Sequence, residues 1–453
     1  MIVRTHTAPD AMSMRILVHR FVGRKDGSLV SILVALAILS LFADIRYATG
    51  FIQIRPFDPL VAWMFMLTVL QGKIWRKRGL VPGFLILLPF FCWHAGSAFT
   101  ISAENGLRET LQIVVVTMFA WTLSQQIDVF DYDKMGRIIL FGLFLAVTYL
   151  CFWGLFISSS LGWKLPDTKA SLTFLPLALS CTFAFSPAKD RRRYLLIWLA
   201  LGAVILFSGE RKALLTYFVT SAVLLARGRV LNYLPAAAAL VILLILFAST
   251  TSNNYLAHQM STMFNPFDTG QYTIALIDKN PALGDSWSNA QRAFAFNLGF
   301  QLIRDHPLFG IGTNGYVGVI ADQYWYIPAF MQVGIHNEFM RVWTENGTLG
   351  LICYLSVWLF SYVRLARVLR LAHQRRIINA RQRAVIPPIC FTPCFFYLFL
   401  EATGTHSFVI LIFLSFLPDF LHYMLPWHAK HVQHRSTASA MMRESQIASV
   451  QVR

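Results

Sequence analysis

The chain has 453 residues, of which 56% are hydrophobic and only 13% charged, a balance that excludes an ordinary soluble globule. Its formal net charge of +17 is spread in short Lys and Arg runs between apolar stretches, with no single patch or arm, which argues against nucleic acid and for a topological cause. Apolar stretches of about 20 residues, the length that crosses a bilayer, recur along most of the sequence and predict one all-α integral membrane domain.

Residues 1–27 carry Arg15, Arg20, Arg24 and Lys25 ahead of the first apolar run. Further spans follow and no small-residue cleavage pattern is convincing, so this stretch reads as a cytoplasmic N-terminal segment. The predicted spans cover 28–44, 57–71, 80–99, 107–126, 137–158, 171–187, 193–208, 212–227, 231–249, 348–363, 386–401 and 406–426, making twelve transmembrane helices. Helices 1–9 thus occupy 28–249, a long outer loop 250–346, helices 10–12 residues 347–426, and a cytoplasmic tail 427–453. With both ends inside, the inner segments collect about 28 of the 39 Lys and Arg residues, the short outer loops about 7 and the long loop about 4. The strongest inner clusters are Lys73, Arg76, Lys77 and Arg78, then Lys189, Arg191, Arg192 and Arg193, then the run from Arg364 to Arg383. The tail, with His428, His431 and His434, reads as a flexible polar end.

All six cysteines, Cys92, Cys151, Cys181, Cys353, Cys390 and Cys394, lie in apolar stretches, which argues against a disulfide framework. Cys390 and Cys394 are one helical turn apart, but no second ligand pair accompanies them as a zinc site would need.

Within the long loop, Trp287, Phe294, Phe296, Phe300, Trp325 and Trp343 argue for an ordered lid. Ser288 and Gln291 form a capping box for a helix ending before His306 and Pro307, while the alternation Phe294, Phe296, Leu298, Phe300, Leu302 fits a strand as well. Gly310, Gly312 and Gly315 spell a dinucleotide fingerprint, yet no buried strand precedes them, so a tight turn is the simpler reading.

Three places bear on chemistry. The very short outer turn from Ser208 to Lys212 puts Arg211 and Lys212 where positive residues run against the topological trend. Either they snorkel beside Glu210, or they form an anion site at lipid-diphosphate depth. His336, Asn337 and Glu338 lead through Glu345, Asn346, Gly347 and Gly350 into the tenth span, so His336 stands near a helix start just above the membrane, as a cap, a packing residue or a proton acceptor. Asp44 and Asp58 in the first outer loop are either helix-end residues or catalytic carboxylates, and Glu401 and His406 flank the last outer turn.

His336-Asn337, nine residues, then Gly347-x-x-Gly350 resembles the signature of the O-antigen ligase and polymerase superfamily. Arg211 to Leu215 is similar to that family's Arg-x-x-x-Leu element, and Arg292, fourteen residues before His306-Pro307 and the Gly310-Ile311-Gly312 turn, is similar to its loop. Phe296 stands where the family more often carries Trp. The resemblance extends to the twelve-span layout, with an O-antigen ligase-related region over about 195–360, and implies a GT-C-like glycosyltransferase of the bacterial inner membrane with a periplasmic active site.

It further implies a glycan donor on undecaprenyl diphosphate and a sugar-hydroxyl acceptor. His336 would take the acceptor's proton, with inversion at the anomeric carbon, while Arg211, Arg292 and Lys212 hold the departing diphosphate. Asn337, Glu345, Glu401 and Asp44 are supporting candidates, and neither a cofactor nor a metal is expected. The short loop near Ser158 to Ala170 favours a ligase joining polysaccharide to lipid A-core over an O-antigen or exopolysaccharide polymerase. A protein O-glycan transferase and, from another class, a membrane transporter are the other readings.

Overall fold

A computed structural model describes residues 26–43, 47–49, 52–70, 81–99, 103–127, 130, 132–152, 196, 198–202, 205, 211–225, 284–324, 334–375, 377–378, 380–400 and 407–422. The expected spans at 171–187 and 231–249 lie outside these residues, as do Asp44, Glu210, Trp325, Glu401, His406, the clusters at 73–78 and 189–193, and the tail.

The described chain is helical apart from one short hairpin. In order it runs α1 (Asp26–Ala43), β1 (Tyr47–Thr49), β2 (Ile52–Ile54), α2 (Phe57–Leu70), α3 (Pro82–Ser97), α4 (Ala103–Gln126), α5 (Tyr132–Phe152), α6 (Arg211–Leu225), α7 (Gly284–Asp305), α8 (Gly315–Gln323), α9 (Glu338–Gln374), α10 (Ala380–Leu400) and α11 (Ser407–His422). Strands β1 and β2 pair antiparallel, Ala48 opposite Gln53. Among the described residues α9 is long and apolar enough to cross a membrane, and α2, α3, α11 and the stretch Leu29–Ser40 are shorter apolar helices.

Local chemistry sets several boundaries. Asp58, in the first turn of α2, turns its carboxylate back to accept the Arg55 amide at 2.8 Å, the reach-back bond of a capping box, which identifies it as a helix-start residue. Val81 precedes α3 in extended backbone, and Pro82 occupies the first turn, where its missing N–H costs nothing.

Helix α3 is the central strut, packed on α4 and α9. Its start lies against Asp419 and Ser415 of α11, and Arg364 of α9 clamps the same Asp419 at 2.6 Å. At its other end Trp93 meets Gly350, while Phe90 packs on Tyr354 and Phe408. Helix α3 therefore runs antiparallel to α9 and α11. Helix α10 is also antiparallel to α9, since Tyr362 meets Phe391 and Trp358 meets Phe395. The directions of α3, α9, α10 and α11 therefore alternate in chain order.

One apolar core joins α1 to α4 with α9 and α11, a second joins α9, α10 and α11, and a third, smaller one lies under α7 and α8. In that third core Ala295, Leu298, Leu302 and Ile303 face inward at helical spacing. The strand alternative for this stretch is thereby overturned: Phe296 and Phe300 point outward, and the 3.6-residue period wins. Ser288 also lies inside α7, which starts at Gly284, so it is not the cap that its spacing to Gln291 suggests.

Candidate functional site

Helix α9 is broken at Gly347, whose φ of 67° and ψ of −174° lie far from helical values. In an unbroken helix the amides of Thr348 and Leu349 would bond to the carbonyls of Thr344 and Glu345. Here Thr348 donates instead to the Pro307 carbonyl at 2.9 Å and Leu349 to that of Leu308 at 3.2 Å. The carbonyls of Thr344 and Glu345 accept from Ile311 at 3.1 Å and Gly312 at 2.8 Å. The Asn346 carbonyl, released by the same break, accepts from the Trp93 indole at 3.0 Å. The 307–312 turn thus replaces the bonds that the helix gives up, and buried backbone groups stay paired.

This exchange explains the glycines. Gly310 and Gly312 have φ of 72° and 92°, a conformation that L side chains rarely adopt, and a Cβ on Gly310 would stand 2.5 Å from the Glu345 carbonyl. A Cβ on Gly347 would collide with the Leu308 carbonyl, and Gly350 leaves room for Trp93. The expected tight turn is present, with Asn314 also in the left-handed region at φ 59°.

The break folds the start of α9 back along its own continuation. Phe339 packs within 5.5 Å of Tyr354 and 5.8 Å of Trp358, ring centre to ring centre, whereas a straight helix would separate Phe339 and Tyr354 by about 22 Å. It also reaches Phe395 of α10. The chain does not drop straight from His336 into the span, as its sequence suggests. His336 and the residues after it lie beside the helix, on the near side of the break.

Asn337 is the N-cap of α9, its Oδ1 accepting the Met340 amide at 2.9 Å. Glu338, fully buried, holds Arg341 through two bonds of 2.6 and 2.9 Å, and Glu345 holds the same guanidinium at 3.1 Å. His336 is half-buried at the entrance to this ladder.

Helix α7 packs along the folded-back segment. Gly299 sits where an added Cβ would meet Met340, Ile335 and Thr344, while Pro307 meets Thr348 farther on, so the two helices run in the same sense. Arg292 is half-buried two turns before Gly299 on the same face, and this register carries it towards the end of α9 that bears His336. Arg211 and Lys212 open α6, which lies against α10, itself packed on α9. The described residues therefore place Arg292 on the face of α7 that packs along the start of α9, and Arg211 at the start of a helix packed on α10.

Sequence reasoning missed the support beneath the turn. His94, fully buried in α3, faces Thr313 across 3.3 Å between Nδ1 and Oγ1. Ser97 reaches Asn346 Oδ1 at 2.8 Å and Thr313 Oγ1 at 2.7 Å, and its carbonyl accepts the Thr313 amide. A lone His inside an apolar span was the available signal. Arg341 was missed too, although Glu338 and Glu345 stand at ion-pair spacing on either side of it. In α8 burial pushes the Tyr316 phenol up, with Tyr324 adding to the effect, so Tyr316 stays neutral. Among the described residues no three His, Cys, Asp or Glu side chains gather as metal ligands would.

Residues 195–355 match the family model described as O-antigen ligase. No curated protein matches the chain.

Proposed function

Through residues 195–355 the chain belongs to the O-antigen ligase superfamily, and on that premise we propose that it transfers a glycan from undecaprenyl diphosphate to a sugar hydroxyl on the periplasmic side of a bacterial inner membrane. The family fixes the coarser statement, an O-antigen ligase or polymerase type of enzyme acting on lipid-linked polysaccharide in a membrane. The finer reading is supported by the packing of α7, which carries Arg292, along the start of α9, which His336 precedes by two residues, with the glycine turn bonded to both sides of the break.

In the reaction His336 accepts the acceptor hydroxyl's proton as that oxygen attacks the anomeric carbon. The bond to the diphosphate oxygen breaks on the opposite face, with inversion. Arg292, with Arg211 and Lys212 from the start of α6, stabilises the charge that grows on the leaving diphosphate, which departs without a proton donor. Glu345 and Asn337 shape the site indirectly, one by holding Arg341 and the other by capping the helix. Asp44 and Glu401 keep the standing of supporting candidates, and turnover is expected to need no metal.

The acceptor we favour is lipid A-core, which makes the enzyme a ligase; polymerisation of O-antigen or exopolysaccharide uses the same chemistry. Purified His336→Ala protein, assayed with an undecaprenyl-diphosphate-linked glycan, should lose at least about a hundredfold in turnover. A parental rate would remove His336 from the mechanism. In a deletion strain, uncapped lipid A-core with long lipid-linked chains accumulating identifies a ligase, and single repeat units identify a polymerase.

A further inference from the structure

The turn that mends α9 also carries apolar side chains on its outer surface. Leu308 and Phe309 are 57% and 64% exposed, and Phe300, in contact with Phe296 one turn back on α7, is 46% exposed. Single exposed apolar residues carry no information, but Leu308 and Phe309 are tied to the start of the α9 span and the end of α3. The Leu308 carbonyl accepts the amide of Leu349, and the Phe309 ring stacks on Trp93 at 5.9 Å and 14° near the end of α3. Leu349 and Ile352 are also exposed and begin the outward apolar stripe of the α9 span. The turn therefore stands beside the first residues of that stripe. Polar and charged groups follow at once: Arg304, Asp305 and His306 are all exposed beside it.

We propose that the Leu308–Phe309 turn and the Phe296–Phe300 face of α7 are embedded at the acyl–headgroup boundary of the leaflet, with membrane phospholipid as their partner. The loop is then a monotopic anchor, not a lid standing in water. Aromatic rings suit that boundary, and Arg304 one turn beyond Phe300 meets anionic headgroups. The inference rests on reading α9 as a span and not on the sugar chemistry.

The test places the photoreactive residue p-benzoylphenylalanine at Phe300, Phe309, Ile352 or Asp322, one at a time, in the full chain. Each protein is reconstituted in phosphatidylethanolamine–phosphatidylglycerol vesicles, irradiated and weighed by mass spectrometry. Phospholipid adducts at positions 300 and 309 should match those at Ile352 and exceed those at Asp322, on α8, by about tenfold or more. Adducts at Ile352 alone would overturn the anchor and leave the span intact. Chain-to-chain products at 300 or 309 would show that a second copy covers this face, which also overturns it. Lipid adducts at none of the positions would remove the span reading itself. Because position 300 lies outside the tight turn, it decides the question even where a substitution at Phe309 impairs folding.

Discussion

Gly347 has a backbone conformation and a neighbour that both forbid a side chain. Gly347→Ala adds the cost of a positive-φ, extended-ψ backbone that is essentially glycine-only, about 1–3 kcal/mol, to a collision with backbone at Leu308. The variant should unfold in detergent at a clearly lower temperature and lose transfer activity, whereas Gly334→Ala, where a Cβ meets nothing, should leave the thermal midpoint unchanged. At this scale the sequence was informative about identity and silent about cause. The glycines, Arg292 and His336 stood out by their spacing, but spacing does not reveal that Gly347 reverses the chain or that Gly310 touches Glu345. Asn337 shows the same limit, since the sequence points to a helix start near His336 with His336 as one candidate cap, and the structure gives that role to Asn337.

Among the elements, the folded-back start of α9 depends on a charge ladder inside an apolar setting. Removing Arg341 leaves Glu338 and Glu345 buried without their guanidinium, so Arg341→Ala should cost about 3–5 kcal/mol in a denaturant titration. Arg341→Lys should recover only part of this, because an ammonium cannot bridge two carboxylates in the same planar geometry. At the opposite end Arg364 and Asp419 join α9 to α11, and Asp419 also accepts the Gly83 amide of α3 at 3.1 Å. A double-mutant cycle of Arg364→Ala with Asp419→Asn should give a coupling of about 0.5–3 kcal/mol, and strict additivity would show that the pair holds nothing. Helix positions were legible from hydropathy because apolar length is a local property: α2 and α3 fall within a few residues of the expected spans. The strand alternative for α7 arose because Phe294 to Leu302 alternates by chance, and only the packing of Ala295 and Leu302 under α8 removes it. The fold-back of α9 depends on contacts between distant segments, which periodicity does not encode.

For the whole molecule, we infer the orientation from the Lys and Arg distribution, which puts the run from Arg364 to Arg383 inside; the alternating directions of α3, α9, α10 and α11 hold for either sidedness. A cysteine at Asp322 should therefore react with an impermeant thiol reagent in intact cells, while one at Arg375 should react only after permeabilisation. Labelling at both sites, or at Arg375 alone, would invert or abolish the proposed sidedness. The shared backbone bonds between the 307–312 turn and α9 extend to the way such a chain can be altered. Neither segment satisfies its own amides and carbonyls, so a loop transplanted from a relative will fold only if the residues from Thr344 to Gly350 travel with it. The transferable unit is discontinuous in sequence, and recombination that cuts between Gly312 and Glu338 separates donors from their acceptors.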